Sequence, residues 1–215
     1  MNEILLFIEI IVIFSLVVLS DKLFKRNGLI VWVSIASVIA NIEVIKNIEL
    51  FGLSATLGNV LFASNFLATD ILTIKYGKKY AELSINIGLF SVITLLISTQ
   101  LMLLFIPSSV DIVHSAMTQL FAFSPRICIS SIFMYYLSNK LDIYVFTRLE
   151  QRKLWIRNNL ATILCNCAEN IGFTLLAFTG IFDFKTIITM IISTSIIEII
   201  IALCDTPFLY LARKL

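Results

Sequence analysis

The side chains able to do chemistry in this chain lie mostly inside apolar stretches. In NVLFASNFLATDILTIKYGKK (Asn59 to Lys79) a greasy run holds Asn59, Asn65 and the carboxylate of Asp70, then stops at lysines. In ATILCNCAENIGFTLLAFTG (Ala161 to Gly180), Asn166, Glu169 and Asn170 fall at i, i+3 and i+4, which makes one polar stripe on a helix. Arg126 follows Pro125 at the start of another apolar run, Glu198 stands among isoleucines, and Asp205 precedes Thr206-Pro207. A carboxylate at the centre of a bilayer costs roughly 2.5–3.5 kcal/mol, so it needs a proton, a cation or a hydrogen-bonding ligand. For Asp70 two readings stand: it faces a polar path, or it pairs with Lys75 or Lys78 at the membrane edge. For Glu169 the alternatives are a ligand-facing stripe and a helix-packing network. Arg126 either reaches outward to water or pairs with the stripe. Glu43, Lys46 and Glu49 read as a solvated i,i+3 pair, and Asp205 as a helix-end device beside Pro207.

The elements that position these groups follow from composition. Of 215 residues, 59% are hydrophobic and 14% charged, with a mean hydropathy of +0.99. Soluble domains sit near 45–50% apolar and about 25% charged. Such a chain must be covered by lipid, so the reading is an all-α polytopic membrane protein of about seven transmembrane helices. Apolar runs near the ~20 residues needed to cross the hydrocarbon fall at 4–20, 29–45, 57–74, 83–106, 120–138, 158–180 and 186–208. Met1-Asn2-Glu3 lacks the positive start of a signal peptide, so the first run is expected to stay as a helix. No linker divides the chain, and 1–215 reads as a single transmembrane domain.

Thirteen of the sixteen lysines and arginines follow the first, third, fifth and seventh runs, which predicts a multi-pass cell-membrane protein with its N-terminus outside and C-terminus cytoplasmic. The net charge of +2 then reflects topology and points to no nucleic acid. Residues 140–159, rich in aromatics and cations, read as an inner connection lying on membrane lipid. Pro107 to Gln119 reads as an amphipathic surface helix or a lid, and Ala36-x-x-x-Ala40 as a close-packing signal. His114 is the only histidine, the four cysteines read as packing residues, and no phosphate-binding loop occurs, so neither an enzyme nor a resident metal or cofactor is expected. Buried carboxylates with asparagines suit a neutral or cationic, hydrogen-bonding solute. A guanine-like edge, with a ring N–H beside an exocyclic amine, fits one carboxylate bidentately, and Phe62, Phe66 and Phe173 are placed to stack on it or simply to pack.

NIEVIKNIELFGLSATLGNVLFASNFLATDILTIKYGKK (Asn41 to Lys79), Pro125-Arg126-Ile127, LDIYVFTRL (Leu141 to Leu149), LWIRNN (Leu154 to Asn159) and ALCDTPFLYLAR (Ala202 to Arg213) together resemble the queuosine-precursor transporter family, also called the vitamin-uptake-transporter-like family. The resemblance implies a helix layout similar to the substrate-binding subunits of energy-coupling-factor importers. It also implies uptake of a 7-deazaguanine such as queuine, preQ1 or preQ0, and position matches at Asp70, Arg126, Asp142 and Asp205. Where the family pattern carries an aspartate in the sixth span, this chain has Glu169, one methylene longer. With the residue reading, the expected substrate-binding set is Asn65, Asp70, Arg126, Asn166, Glu169 and Asn170. A stand-alone secondary transporter is one reading; a binding subunit joined to a separate ATPase module is the other.

Overall fold

The computed structural model describes residues 1–122 and 125–215. Its elements run α1 (Asn2–Glu43), β1 (Asn47–Leu50), β2 (Leu53–Thr56), α2 (Asn59–Lys75), α3 (Lys78–Leu103), α4 (His114–Phe121), α5 (Pro125–Arg148), α6 (Leu154–Phe178) and α7 (Phe184–Lys214). Each apolar run of the sequence lies on one of these helices, although 120–138 crosses residues 123–124, which lie outside the described residues. The first two runs share α1, which breaks at Lys25 (φ 56, ψ −144). A Cβ on Gly28 would strike the Ser20 carbonyl oxygen. Residues eight apart in a straight helix are ~12 Å apart, so the chain folds back on itself here, and only glycine fits the crossing.

Four helices, α1, α3, α6 and α7, are each long and apolar enough to cross a membrane, and α4 with α5 meets the same test as a bent pair. Their outward faces carry large apolar side chains such as Phe24, Phe90, Ile129 and Leu164. By contrast α2 is enclosed: every residue from Ala63 to Leu72 is buried, with α1, α3, α5, α6 and α7 all packed against it. That placement resolves why its asparagine and aspartate are tolerated, because they face protein and not lipid. Ala36 and Ala40 pack on Leu61 as the small-residue spacing predicts. Gly58 (φ 93), at the N-terminus of α2, lets that helix start against α1; a Cβ there would lie 2.8 Å from the Ala40 carbonyl oxygen.

Several expectations are corrected. The connection 140–159 is mostly helix: α5 continues to Arg148 and α6 begins at Leu154. No glycine or proline interrupts 126–171, and hydropathy marks where lipid ends, not where a helix ends. Asp205 is no helix-end device, since α7 passes through Pro207 and runs on to Lys214; the ring removes one backbone donor but surrounding packing holds the helix. The span 45–58, read as a plain connection, contains a β-hairpin paired Asn47↔Thr56 to Leu50↔Leu53. Its turn residues Phe51 (φ 52) and Gly52 (φ 75) both have positive φ, as tight two-residue hairpin loops require. Asn2 Nδ2 donates to the Glu49 carbonyl at 3.0 Å, so the hairpin closes over the start of α1. Glu43 forms no ion pair with Lys46; its Oε2 is buried without a partner among the described residues. The segment Pro107 to Gln119 does hold a short exposed helix, α4.

Candidate functional site

Three helices bring one aspartate each to the cation-rich end of the bundle: Asp70 from α2, Asp142 from α5 and Asp205 from α7, all with no exposed surface. Asp70 lies within electrostatic reach of both other carboxylates and of Arg157 on α6. Asn158, the next residue of α6, donates from Nδ2 to Asp205 Oδ1 and to Thr206 Oγ1, the latter at 3.1 Å. Among the described residues nothing bonds either oxygen of Asp70 or of Asp142, nor Asp205 Oδ2, Asn139 Oδ1, Asn158 Oδ1 or Thr162 Oγ1. Asn139 and Asp142 are one turn apart on α5, and Asn158 and Thr162 one turn apart on α6, so on each helix the orphans share one face. Buried polar atoms are nearly always satisfied. Here the unsatisfied ones concentrate on one kind: eleven of the twelve such side-chain atoms are oxygens, the exception being Arg157 Nε. A ligand completing this set must bring donors.

A second polar layer lies further along the bundle, away from the cations. Ser138 Oγ donates to Glu169 Oε2 at 2.5 Å. Asn65 Nδ2 donates to Ser37 Oγ at 3.0 Å, and the Tyr135 hydroxyl lies 3.1 Å from that same oxygen. Among the described residues Asn65 Oδ1 remains without a partner, as does Glu198 Oε2. Asn166 is buried on the same stretch of α6. Phe62 meets both Phe66 and Tyr135 edge-to-face, at 5.6 and 6.1 Å between ring centres. Phe173 is instead paired with Phe178.

The expected site residues divide. Asp70 is at the centre, and the alternative that it pairs with a lysine is removed. Lys75 Nζ instead sits 2.5 Å from Asp21 Oδ2 and donates to the Ala212 carbonyl at 3.2 Å, while Lys78 pairs with Glu82 at 3.6 Å. Asn65, Asn166 and Glu169 border the interior. Asn170 spends its amide on α7, donating to the Ile191 carbonyl at 2.8 Å and Ser195 Oγ at 2.9 Å, and its Oδ1 accepts from Thr174. Arg126 is exposed, and its Nε donates to the Leu176 carbonyl at 2.6 Å; no carboxylate joins it among the described residues. Reading residues alone missed Asp21, Asn139, Arg157 and Asn158, and set Asp142 in a connection. The signal was present in the spacing Asn139-x-x-Asp142-x-x-x-Phe146, which places all three on one helical face.

Apolar helices wrapped around a buried polar interior with unsatisfied acceptors fit a membrane transporter, whose intramembrane ionisable groups face the bundle interior. The comparisons with known proteins agree. The family model described as "Putative vitamin uptake transporter" matches residues 56–212, and the chain belongs to that family. It is 38% identical over 210 residues to the "Probable queuosine precursor transporter" of Bacillus subtilis (strain 168), covering 95% of this chain and 92% of the relative. It is 29% identical over 161 residues to the "Queuosine precursor transporter" of Escherichia coli (strain K12), covering 72% and 71% respectively. No solved structure matches it.

Proposed function

We propose that this protein imports a queuosine precursor across the cell membrane as a self-sufficient secondary transporter. Its N-terminus lies outside and its cation-rich end in the cytoplasm. The observation that carries the reading is the surplus of buried, unpartnered acceptors around Asp70 and Asp142. A 7-deazaguanine answers it chemically: a ring N–H and the neighbouring exocyclic amine make two parallel bonds to one carboxylate. A second carboxylate is free for another donor of the solute. The names of the two relatives support the same substrate class. Asp70 is then the group that receives the guanine-like edge. Asn65, Asn166 and Glu169 line the approach from the other end.

The test is uptake of labelled queuine, preQ1 and preQ0 by cells that lack their own synthesis and transport and express only this chain. Asp70→Asn and Glu169→Gln run alongside. Wild-type uptake that Asp70→Asn abolishes supports the reading. A well-expressed wild-type chain that takes up none of the three overturns it.

A further inference from the structure

The fold-back of α1 at Lys25 leaves a groove of about 500 Å³ between its two arms. Leu16 and Leu23 line it from the first arm, Val31 and Ile35 from the second, and Phe24 at the bend; all five are exposed. Trp32 also lines it but spends its indole N–H on Ser64 Oγ of α2 at 3.0 Å, so it offers the groove no donor. Leu16 stands nine residues before Lys25 and Ile35 ten after it. At ~1.5 Å per residue the groove runs ~14 Å from the bend, about half the ~30 Å of hydrocarbon, which is the depth of one leaflet. Its mouth is cationic. Lys22 and Lys25 alternate with the lining residues Leu23, Phe24 and Asn27, are exposed, and pair with no carboxylate among the described residues. Asp21, the nearest carboxylate in sequence, is taken by Lys75 and the Tyr76 hydroxyl. Arg26 is engaged by α3, its Nη1 donating to the Tyr80 hydroxyl at 2.7 Å.

We infer that the bend of α1 binds an anionic phospholipid from the leaflet on the cation-rich side, with one acyl chain in the groove and the head-group phosphate at Lys22 and Lys25. An apolar trough one leaflet deep matches an acyl chain in both character and length. Two unpaired ammonium groups at its mouth complement a phosphate, and their flexible stems let them follow a head group. A neutral lipid would fill the groove and leave those charges unanswered. A second copy of this chain, docked about a two-fold axis, would bring its own Lys22 and Lys25 against these. A chain seated between the arms ties them together, so bound lipid stabilises the protein as any ligand of the native state does. The site lies on the outer surface of the bundle and uses none of the buried carboxylates, so it does not depend on the import reading.

The purified chain in neutral detergent is mixed with phosphatidylglycerol or phosphatidylcholine carrying the same acyl chains. Bound lipid is counted by native mass spectrometry, and the melting temperature is read in parallel. Wild type should retain phosphatidylglycerol ~tenfold more strongly than phosphatidylcholine and should melt higher with it. Joint replacement Lys22→Gln and Lys25→Gln, at two exposed positions, should erase most of that preference. Val31→Trp fills the groove from a lipid-facing position and keeps both lysines, so retention of phosphatidylglycerol should fall by ~threefold or more. Glycerol phosphate, a head group without chains, should leave the melting temperature unchanged. Equal retention of the two lipids by wild type, a preference that survives loss of both lysines, or full retention in Val31→Trp overturns the inference. So does a glycerol phosphate shift as large as the lipid's. A dimer that Val31→Trp separates would put a second copy in the groove and overturn it as well. These readouts need no precursor, so their failure leaves the import reading standing.

Discussion

Asp21 and Asp70 are both aspartates without exposed surface, on neighbouring helices of one bundle, and they are partnered in opposite ways. Asp21 is fully met. Lys75 reaches one oxygen at 2.5 Å and the Tyr76 hydroxyl donates to the other at 2.8 Å. Lys75 also donates to the Ala212 carbonyl, so one cation ties α1, α2 and the end of α7 together. Asp70, five residues before that lysine, is met by nothing among the described residues. Burial alone therefore does not say how an aspartate is held; the completeness of its partners does. The same contrast separates Asn170, whose amide is bonded to α7, from Asn139 and Asn158, whose amide oxygens have no partner among the described residues.

The largest effect expected from this contrast is in Asp70→Asn. Losing a buried charge that binds a ligand costs several kilocalories, so uptake should drop by ~thirtyfold or more. Thermal stability in detergent should hold or rise, because the variant deletes an uncompensated buried charge. A melting temperature that falls along with uptake would make Asp70 a structural group after all and erase the distinction. Asp21→Asn should do the reverse, losing roughly 3 kcal/mol of stability by stranding Lys75 while uptake per folded molecule stays within about twofold. Adding Lys75→Met to that variant should recover much of the loss, which thermal unfolding of the pair and the singles would read. Asn170→Ala should cost about 1–2 kcal/mol through its severed bonds to α7, and strong loss of uptake at normal stability would instead put Asn170 on the path. The smallest effect lies outside the bundle interior. Asp183 caps α7: the Thr186 hydroxyl donates to one of its oxygens at 2.6 Å and the Thr186 backbone N–H to the other at 3.2 Å, and these two bonds, the hydroxyl's first, hold its carboxyl below the ordinary 3.8. Its contribution is present above that ordinary value and is lost as pH falls through the lower folded one. An acid titration of melting temperature should accordingly show a slight loss that Asp183→Ala lacks.

Much of the helix order was readable because each span needs an unbroken apolar run. The polar ends of α5 and α7 were not, since hydropathy falls where lipid ends while hydrogen-bonded helix continues; Asp142 and Asp205 were therefore set in a connection and at a helix end. Asp21 was hidden among Lys22, Lys25 and Arg26, with its true partner 54 residues away. The polar stripe Asn166, Glu169, Asn170 was found by spacing, yet spacing could not say that Asn170 turns to α7. Whether a buried oxygen is met or left open depends on which helices become neighbours, and that is a property of packing.

Cys165 is fully buried on α6, within electrostatic reach of Asp70, Asp142 and Glu169. With Cys128, Cys167 and Cys204 replaced, it becomes a single thiol already installed beside the carboxylates. A water-soluble alkylating reagent can reach it only through an open cavity, so the labelling rate is a clock for opening that needs no engineered reporter. Saturating substrate should slow that clock.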